Sequence, residues 1–540
     1  MAVRTGNRFP LSLVASVAVA ETKLALRVAP RVVRYLAPIV AWAVAAIALG
    51  LIIGLAAVFL PPLGAFGIVA IAGVVLLWVM PDLPLVSPGF IRKAFFVMLI
   101  ADLCIPNYYM VQVAGLPWIS ARRLATFALI APFLIAIAAS SDVRWQIMER
   151  IRASLLIFTC AVGYLVMATL SVLTSVLPSE SASALVEAVL SWYVPFFAMI
   201  YIIKDNDDVI LILKIICACA IFVTLAGFLE FHFQRNFFVE IFPGGTLEAL
   251  VQNNPTLGSL IPGAINHFRN GLYRAQSNFV TSLSFGEFEI IVIPIALFFA
   301  AYRKNLFERS LGWVVTFGGI IGIFCSGARG AYIGVLLSLA VFVAIWSIRK
   351  GMNNKASLAP AVVGLTGLVS FAVVAGLIVF WKRAHNMVLG GGDAQASNNG
   401  RYEQWAVGIQ FIKSNPITGH GFVNGGFVIS NSIDSYVLSL LIETGIPGLV
   451  FFVGLLLLPI WYGLRNSLSD LSESGAVAGA VACSFIAFTT NRLVLSQREN
   501  HMLMFSLLAI VLVMNYEYAR KQVPERAIYK SLRKTHVPAE

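Results

Sequence analysis

Five arginines, Arg274, Arg329, Arg401, Arg492 and Arg498, stand beside apolar runs in a chain with only 12% charged residues. A guanidinium stays charged at any physiological pH and grips phosphate with a bidentate fork. Several such groups over an apolar bundle suit a diphosphate headgroup whose lipid tail lies in a bilayer. Taken singly, each also fits an ordinary interfacial arginine, snorkelling or salt-bridged. Arg329 stands out. It lies in CSGARGAY, between Gly327 and Gly330 and against a long apolar run, and charges at membrane depth are functional candidates by default. Arg122 and Arg123 fall on the same face, either as a second phosphate contact or as a sign that the span before them is misassigned.

Carboxylates and a histidine come next. In RYEQWAVGIQFIK (401–413), Arg401, Trp405, Gly408 and Ile412 share one helical face, with Tyr402, Ala406 and Ile409 beside it. Asn415-Pro416 stops that helix, which reads as amphipathic and interfacial with Arg401 in its first turn. Core packing explains the stripe as well as ligand binding does. Asp434 lies where the following loop enters the next helix, as a base or as a helix N-cap. Glu443 is nine residues on, about 900° around a continuous helix, so an acid and base on one face is not supported. It precedes Gly445-Ile446-Pro447, a helix break. His420, between two glycines, is a candidate base or an incidental loop residue. No metal-ligand spacing, Walker loop, GxGxxG or Ser-His-Asp pattern occurs, so no cofactor and no metal is expected.

The elements that must position these groups are membrane spans. Hydrophobic residues make up 59% of the 540, and mean hydropathy is +0.86. Soluble domains carry about 25% charged residues; here the bilayer has to be the solvent. The net charge of +12 reads as topology rather than nucleic-acid binding. Roughly fourteen segments reach spanning length: 38–60, 64–80, 93–110, 124–140, 153–177, 186–203, 208–230, 286–302, 311–325, 329–348, 358–381, 439–463, 475–490 and 501–516. The expected fold is all-α, a polytopic bundle of about 12–14 spans. With the N-terminus inside, about 25 Lys and Arg fall on the cytoplasmic side against about 12 outside, which puts both termini in the cytoplasm.

The expected organisation is a cytoplasmic tail (1–37), an N-terminal bundle (38–230) and a first long periplasmic loop (231–285). Then come transmembrane helices (286–381), a second periplasmic loop (382–438), C-terminal spans (439–516) and a cytoplasmic tail (517–540). The run GGGDAQASNNG (390–400) is flexible by composition. A weakly apolar stretch at 11–20, followed by Arg27, Arg31 and Arg34, reads as an uncleaved tail rather than a signal peptide. The six cysteines lie in or beside apolar runs and read as small core residues.

The order YRAQSNF (273–279), SGARGAY (326–332), NGRYEQW (399–405), NPITGHGF (415–422) and DSYVLSLLIETGIPGL (434–449) resembles the O-antigen ligase and polysaccharide polymerase (Wzy-like) family, over about residues 270–465. The resemblance implies a metal-independent, inverting integral-membrane glycosyltransferase in the bacterial inner membrane, with a periplasmic active site. Its donor would be an undecaprenyl-diphosphate-linked oligosaccharide. Beyond the lipid bilayer, other polysaccharide assembly proteins are the partners implied, and no nucleic acid. Arg274, Arg329 and Arg401 are the matches to the family's arginines; with the residue reading, Arg329, Arg401 and Asp434 are the expected catalytic groups and Arg274, Tyr402, His420, Arg492 and Arg498 the expected substrate-binding groups. Family ligases usually carry a His-Asn pair where Asp434 and Ser435 stand, which favours a polymerase over a lipid A ligase. A flippase of lipid-linked oligosaccharide and a non-catalytic scaffold remain as alternatives; a flippase predicts inverted repeats, and none is visible.

Overall fold

The computed structural model describes residues 86–106, 108–111, 119–241, 268–269, 272–354, 357–385, 395–425 and 433–535. The first two expected spans and the N-terminal tail lie outside them. The chain divides into two compact units, residues 1–85 with 134–141 and residues 86–133 with 142–540. The first is described only at 134–141, and the second holds every other described residue.

The described residues fold as an all-α bundle. In chain order its helices longer than five residues are α1 (Pro88–Cys104), α2 (Ala121–Ala139), α3 (Ser141–Arg152), α4 (Leu155–Leu173), α5 (Pro178–Ile202) and α6 (Asn206–Phe233). Next come α7 (Ser282–Tyr302), α8 (Leu306–Ser326), α9 (Arg329–Asn353), α10 (Ala359–Phe380) and α11 (Gln395–Ser414). The last three are α12 (Tyr436–Ser469), α13 (Glu473–Arg492) and α14 (His501–Thr535). Eleven helices among the described residues are long and apolar enough to cross a membrane. They match eleven expected segments. The expected span at 93–110 appears as α1, of 17 residues, at the lower limit of spanning length. The only strands among the described residues are two two-residue antiparallel pairs, Met110–Val111 with Ile119–Ser120 and Phe268–Arg269 with Leu272–Tyr273.

Burial ranks the spans. α7 is 89% buried over its apolar window and α10 only 6%, so α7 is the axis of the bundle and α10 lies at its periphery. α7 packs on α8, α13 and α9, and α12 packs on α13 and α4. With lipid as apolar as leucine, helices in a bilayer associate by close approach at small residues. Gly312 on α8 shows this: a Cβ there would meet the carbonyl oxygen of Ala296 on α7 at 2.6 Å. The glycines of α8 also admit a carboxylate. Glu289 lies so near Gly322 that a Cβ would come within 2.9 Å of its Oε1, which accepts a 2.7 Å bond from Thr224 Oγ1.

Two helices depart from regular geometry. Residues Val189–Tyr193 of α5 form a π-turn just before Pro195, a place where a missing N–H disturbs the ladder. α12 breaks at Gly445 (φ 70°, ψ −174°), a backbone state open to glycine and little else. The helix break expected beside Glu443 is there.

The stripe of α11 docks as the periodicity implies. Trp405 and Ile412 pack on Ile433, Leu438 and Ile442, and a Cβ on Gly408 would meet Leu438 Cδ1 at 2.7 Å. The helix starts six residues earlier than expected, so Arg401 lies in its second turn, not its first. Residues 395–400 of the low-complexity run are helical, led by the good helix formers Gln395 and Ala396; 390–394 lie outside the described residues.

The α7–α8 contact can be tested by size. Gly312→Val should lower stability by about 1–3 kcal/mol. Gly318→Ala, whose Cβ meets nothing nearer than Thr224 Cγ2 at 3.4 Å, should leave it unchanged. Thermal unfolding of both variants in detergent reads the difference.

Candidate functional site

Polar groups gather at one end of the bundle, where α7, α9, α12 and α14 begin and α4, α8 and α13 end. Its centre is the buried ion pair of Glu287 on α7 with Arg492 at the close of α13. Asn500 Nδ2 donates to Glu287 Oε2 at 3.0 Å and Asn491 Nδ2 to Oε1 at 3.2 Å, and Arg492 donates to the Gln497 carbonyl. Both carboxylate oxygens are therefore engaged, which is what a buried charge requires. Arg492 also lies over the rings of Phe488 (4.5 Å) and Tyr436 (5.2 Å).

A second pair stands beside it. Glu443, just before the break in α12, bonds Arg498 and accepts a 2.7 Å bond from Ser439 Oγ. Arg498 stacks over Phe422 at 4.9 Å. Tyr436 OH meets His501 Nε2 at 2.8 Å, and the imidazole stacks on Trp192 of the π-turn at 4.7 Å.

A cavity of about 250 Å³ opens next to these pairs, lined among others by Asp102, Arg122, Trp192, Phe422, Arg498 and Glu499. Three buried polar atoms on its lining residues have no hydrogen-bond partner: Arg122 Nη2, Arg498 Nε and Glu499 Oε2. Such groups cost free energy unless a ligand or water meets them. The other atoms of each are anchored. Arg122 Nε donates to the Ile105 carbonyl at 2.5 Å, and its Nη1 lies 3.5 Å from Asp102; Glu499 Oε1 accepts from Val280 N at 2.9 Å. Burial pushes the Glu499 carboxyl above its ordinary range, against the opposing pull of the Ser284 hydroxyl and the Val280 amide.

A second cavity, of about 270 Å³, shares Asp102, Arg122, Glu187 and Ser191 with the first. Its remaining wall carries Phe127, Ile130, Val186 and Leu190 between α2 and α5, beside Ser120, Arg123, Thr126 and Ser183. Phe127 and Val186 are more than half exposed on the flank of the bundle. A chamber with an apolar side at the flank of the bundle thus adjoins the polar cavity.

The arginines singled out by sequence arrive in two groups around this centre. Glu230, at the end of α6, accepts from Gln276 N, Ser277 N and Tyr273 OH, fixing the segment that carries Arg274. Arg274 Nε donates to the Ser326 carbonyl at 3.1 Å and its side chain lies along Gly327, the left-handed cap of α8 (φ 58°). Arg329 opens α9, a position where the helix dipole disfavours a cation. The next residue, Gly330, abuts Asn491. YRAQS and SGARG are thus neighbours that touch the Glu287–Arg492 centre from one side.

Arg401 approaches from the other. Its Nε lies 3.3 Å from Asp434 Oδ2, and the Asp434 amide donates to Gln404 Oε1 at 3.1 Å. The N-cap of α12 is Ser435, not Asp434; the carboxylate is turned to Arg401 instead. Ser496 Oγ bonds the Ile433 carbonyl, tying this corner to the loop that holds Arg498. None of Arg274, Arg329 and Arg401 lines the 250 Å³ cavity. His420 is an anchor: its Nε2 lies 2.9 Å from the Phe411 carbonyl and 3.1 Å from Ser414 Oγ, and its amide donates to Ile442 at 2.8 Å. Tyr402 is 76% exposed on the outer face of α11 and stands apart from the cluster. Arg123 pairs with Glu187 at 3.4 Å.

Sequence reading passed over Glu287, Tyr436, Glu499 and His501. Glu287 carried a usable signal, a carboxylate in the apolar stretch FGEFEIIVIPIAL. Glu499 and His501 carried none, because a polar residue in a loop or at a helix start is ordinary.

The central pair yields a stability prediction. Arg492→Met strands a buried carboxylate and should cost about 3–5 kcal/mol, whereas the double variant Glu287→Leu/Arg492→Met should recover most of that loss. A double-mutant cycle of thermal unfolding in detergent measures both.

Comparison with curated proteins yields no match to the chain. Residues 313–453 match the family described as O-antigen ligase, a segment running from α8 to the middle of α12 with Arg329, Arg401, His420, Asp434 and Glu443 inside it. That segment is about a quarter of the 540 residues, and over it this chain of membrane-spanning helices is similar to the O-antigen ligase family.

Proposed function

We propose that the protein is a metal-independent, inverting glycosyltransferase that joins undecaprenyl-diphosphate-linked glycans at the periplasmic face of a bacterial inner membrane, as a polymerase or ligase of exopolysaccharide or O-antigen. The observation that carries the reading is the pair of cavities. One has apolar residues open to lipid, and the other is lined by Arg122, Arg498 and Glu499, each with one buried polar atom that has no partner. The first isoprene units of a polyprenyl tail would lie against the apolar side of the first, and the diphosphate would sit in the second. The family match supports glycan assembly as the setting.

In this reading Arg122 and Arg498 hold the diphosphate, and Glu499 takes the proton from the acceptor hydroxyl. The acceptor oxygen attacks the anomeric carbon from the face opposite the diphosphate. The bond from that carbon to the diphosphate oxygen breaks, and its electron pair stays on the leaving group. Guanidiniums fixed in advance stabilise the charge that develops there without reorganising. A base gains strength as its proton affinity rises, which suits the carboxyl of Glu499. Arg274 and Arg329 extend the positive rim toward the glycan, and Asp434 holds Arg401 and α11 in place for the acceptor. Asp434 is the second candidate for the base.

Purified protein given lipid-linked repeat units, with no other protein present, separates a transferase from a scaffold or flippase: new glycosidic bonds are expected. Glu499→Gln should lower turnover about 100-fold or more, and Asp434→Asn should lower it less than about tenfold. A dead Asp434→Asn beside an active Glu499→Gln moves the base to Asp434. The sign of the pH dependence follows from the carboxylate being the active form. Turnover falls as pH drops through a pKa raised by burial, so the acid limb of kcat/KM should have its midpoint above the ordinary glutamate value of about 4.3.

A further inference from the structure

At the opposite end of the bundle α7 and α9 close and α8 and α13 begin. A cavity of about 400 Å³ there is lined by Arg303, Lys304, Arg349 and Lys350 against a single carboxylate, Glu473. Arg303 is neutralised, bonded to both Glu473 and Glu308, the latter also held by Lys214. Lys304, Lys350 and Arg349 form no ion pair among the described residues. Three positive charges therefore face one cavity with no counter-charge.

Arg349 is the informative one, being only 3% exposed. Its terminal nitrogens donate to the carbonyls of Ser467, Asp470 (2.7 Å) and Ser472 (2.7 Å), which closes off the end of α12. Its Nε is buried and has no partner. A buried guanidinium bonded to neutral carbonyls keeps its full charge, so the cavity it lines favours an anion. The N-termini of α8 and α13, whose caps Asn305 and Ser472 are also lining residues, add their positive ends. The ring of Tyr302 lies 5.8 Å from both Arg349 Cζ and Lys350 Nζ, holding these cations in one wall.

The surroundings say what kind of anion. Leu306 and Phe307 are about three-quarters exposed, and Ile348 and Met352 about half; each stands within two residues of a lining residue. An apolar belt thus meets the cationic cavity at the ends of four spans, as hydrocarbon meets headgroups. We propose that this cavity binds a phosphate group, supplied by the headgroup of an anionic phospholipid whose acyl chains lie along the exposed faces of α8 and α9. The site is remote from the glycan cavities and does not depend on their reading.

Native mass spectrometry of the purified full chain tests it, with phosphatidylglycerol, phosphatidylcholine and inorganic phosphate as probes. Lys304→Gln/Lys350→Gln leaves the folded core alone, since neither lysine is paired or fully buried. Wild type should retain phosphatidylglycerol over phosphatidylcholine, and the double variant should lose that preference by about tenfold or more, with an unchanged unfolding temperature. Equal retention of both lipids by wild type, or of phosphatidylglycerol by both proteins, would overturn the proposal. Inorganic phosphate displacing the lipid at equal concentration would overturn the phospholipid as the occupant.

Discussion

The bundle is organised around a charge pair that has no access to water. Glu287 sits on α7, the most enclosed span, and Arg492 closes α13. Ions buried in a low dielectric need their lone pairs and protons met; both Glu287 oxygens and the two terminal nitrogens of Arg492 are engaged, leaving only its Nε without a partner, so the pair dictates its surroundings. Asn491 and Asn500 must lie where they do, and the loop between α13 and α14 must fold back to present Asn500. That fold-back aims Arg498 at Glu443 and leaves Glu499 beside Arg122. The cavity thus owes its walls to a constraint located one layer deeper.

Around that centre the charges divide by their engagement. Glu287 and Arg492 hold the structure, and Glu443 keeps Arg498 oriented while leaving one nitrogen uncommitted. In the proposed reading, the groups that receive a charged lipid are each anchored through one atom and hold another without a partner. In the same reading, the apolar residues between α2 and α5 offer a tail a route that avoids crossing the polar surface.

The sequence discloses these layers unequally. Spanning helices are written in hydropathy, and eleven expected segments lie where helices form, because a bilayer leaves the backbone few alternatives. The docking face of α11 was legible from the spacing of Trp405, Gly408 and Ile412. The pairings were not. Glu287 and Arg492 are 205 positions apart, and no local pattern states which carboxylate a given arginine meets. For the same reason Asp434 reads locally as a helix cap, whereas Ser435 caps and Asp434 meets Arg401. Arg122 looked ambiguous because α1 is too short for a confident span; its place on the cavity wall depends on how that short helix ends at Ile105.

The break at Gly445 reaches beyond α12. With the helical ladder interrupted, the carbonyls of Ile442 and Glu443 are taken by the amides of His420 and Gly421, and the amide of Ile446 turns to Pro416. The turn after α11 is in effect spliced into the broken span. Glu443, which steers Arg498, sits at the splice. In the proposed reading, a tilt of α11 under a bulky glycan would reach the Arg498 guanidinium through this splice, a lever linking the surface to the charge below.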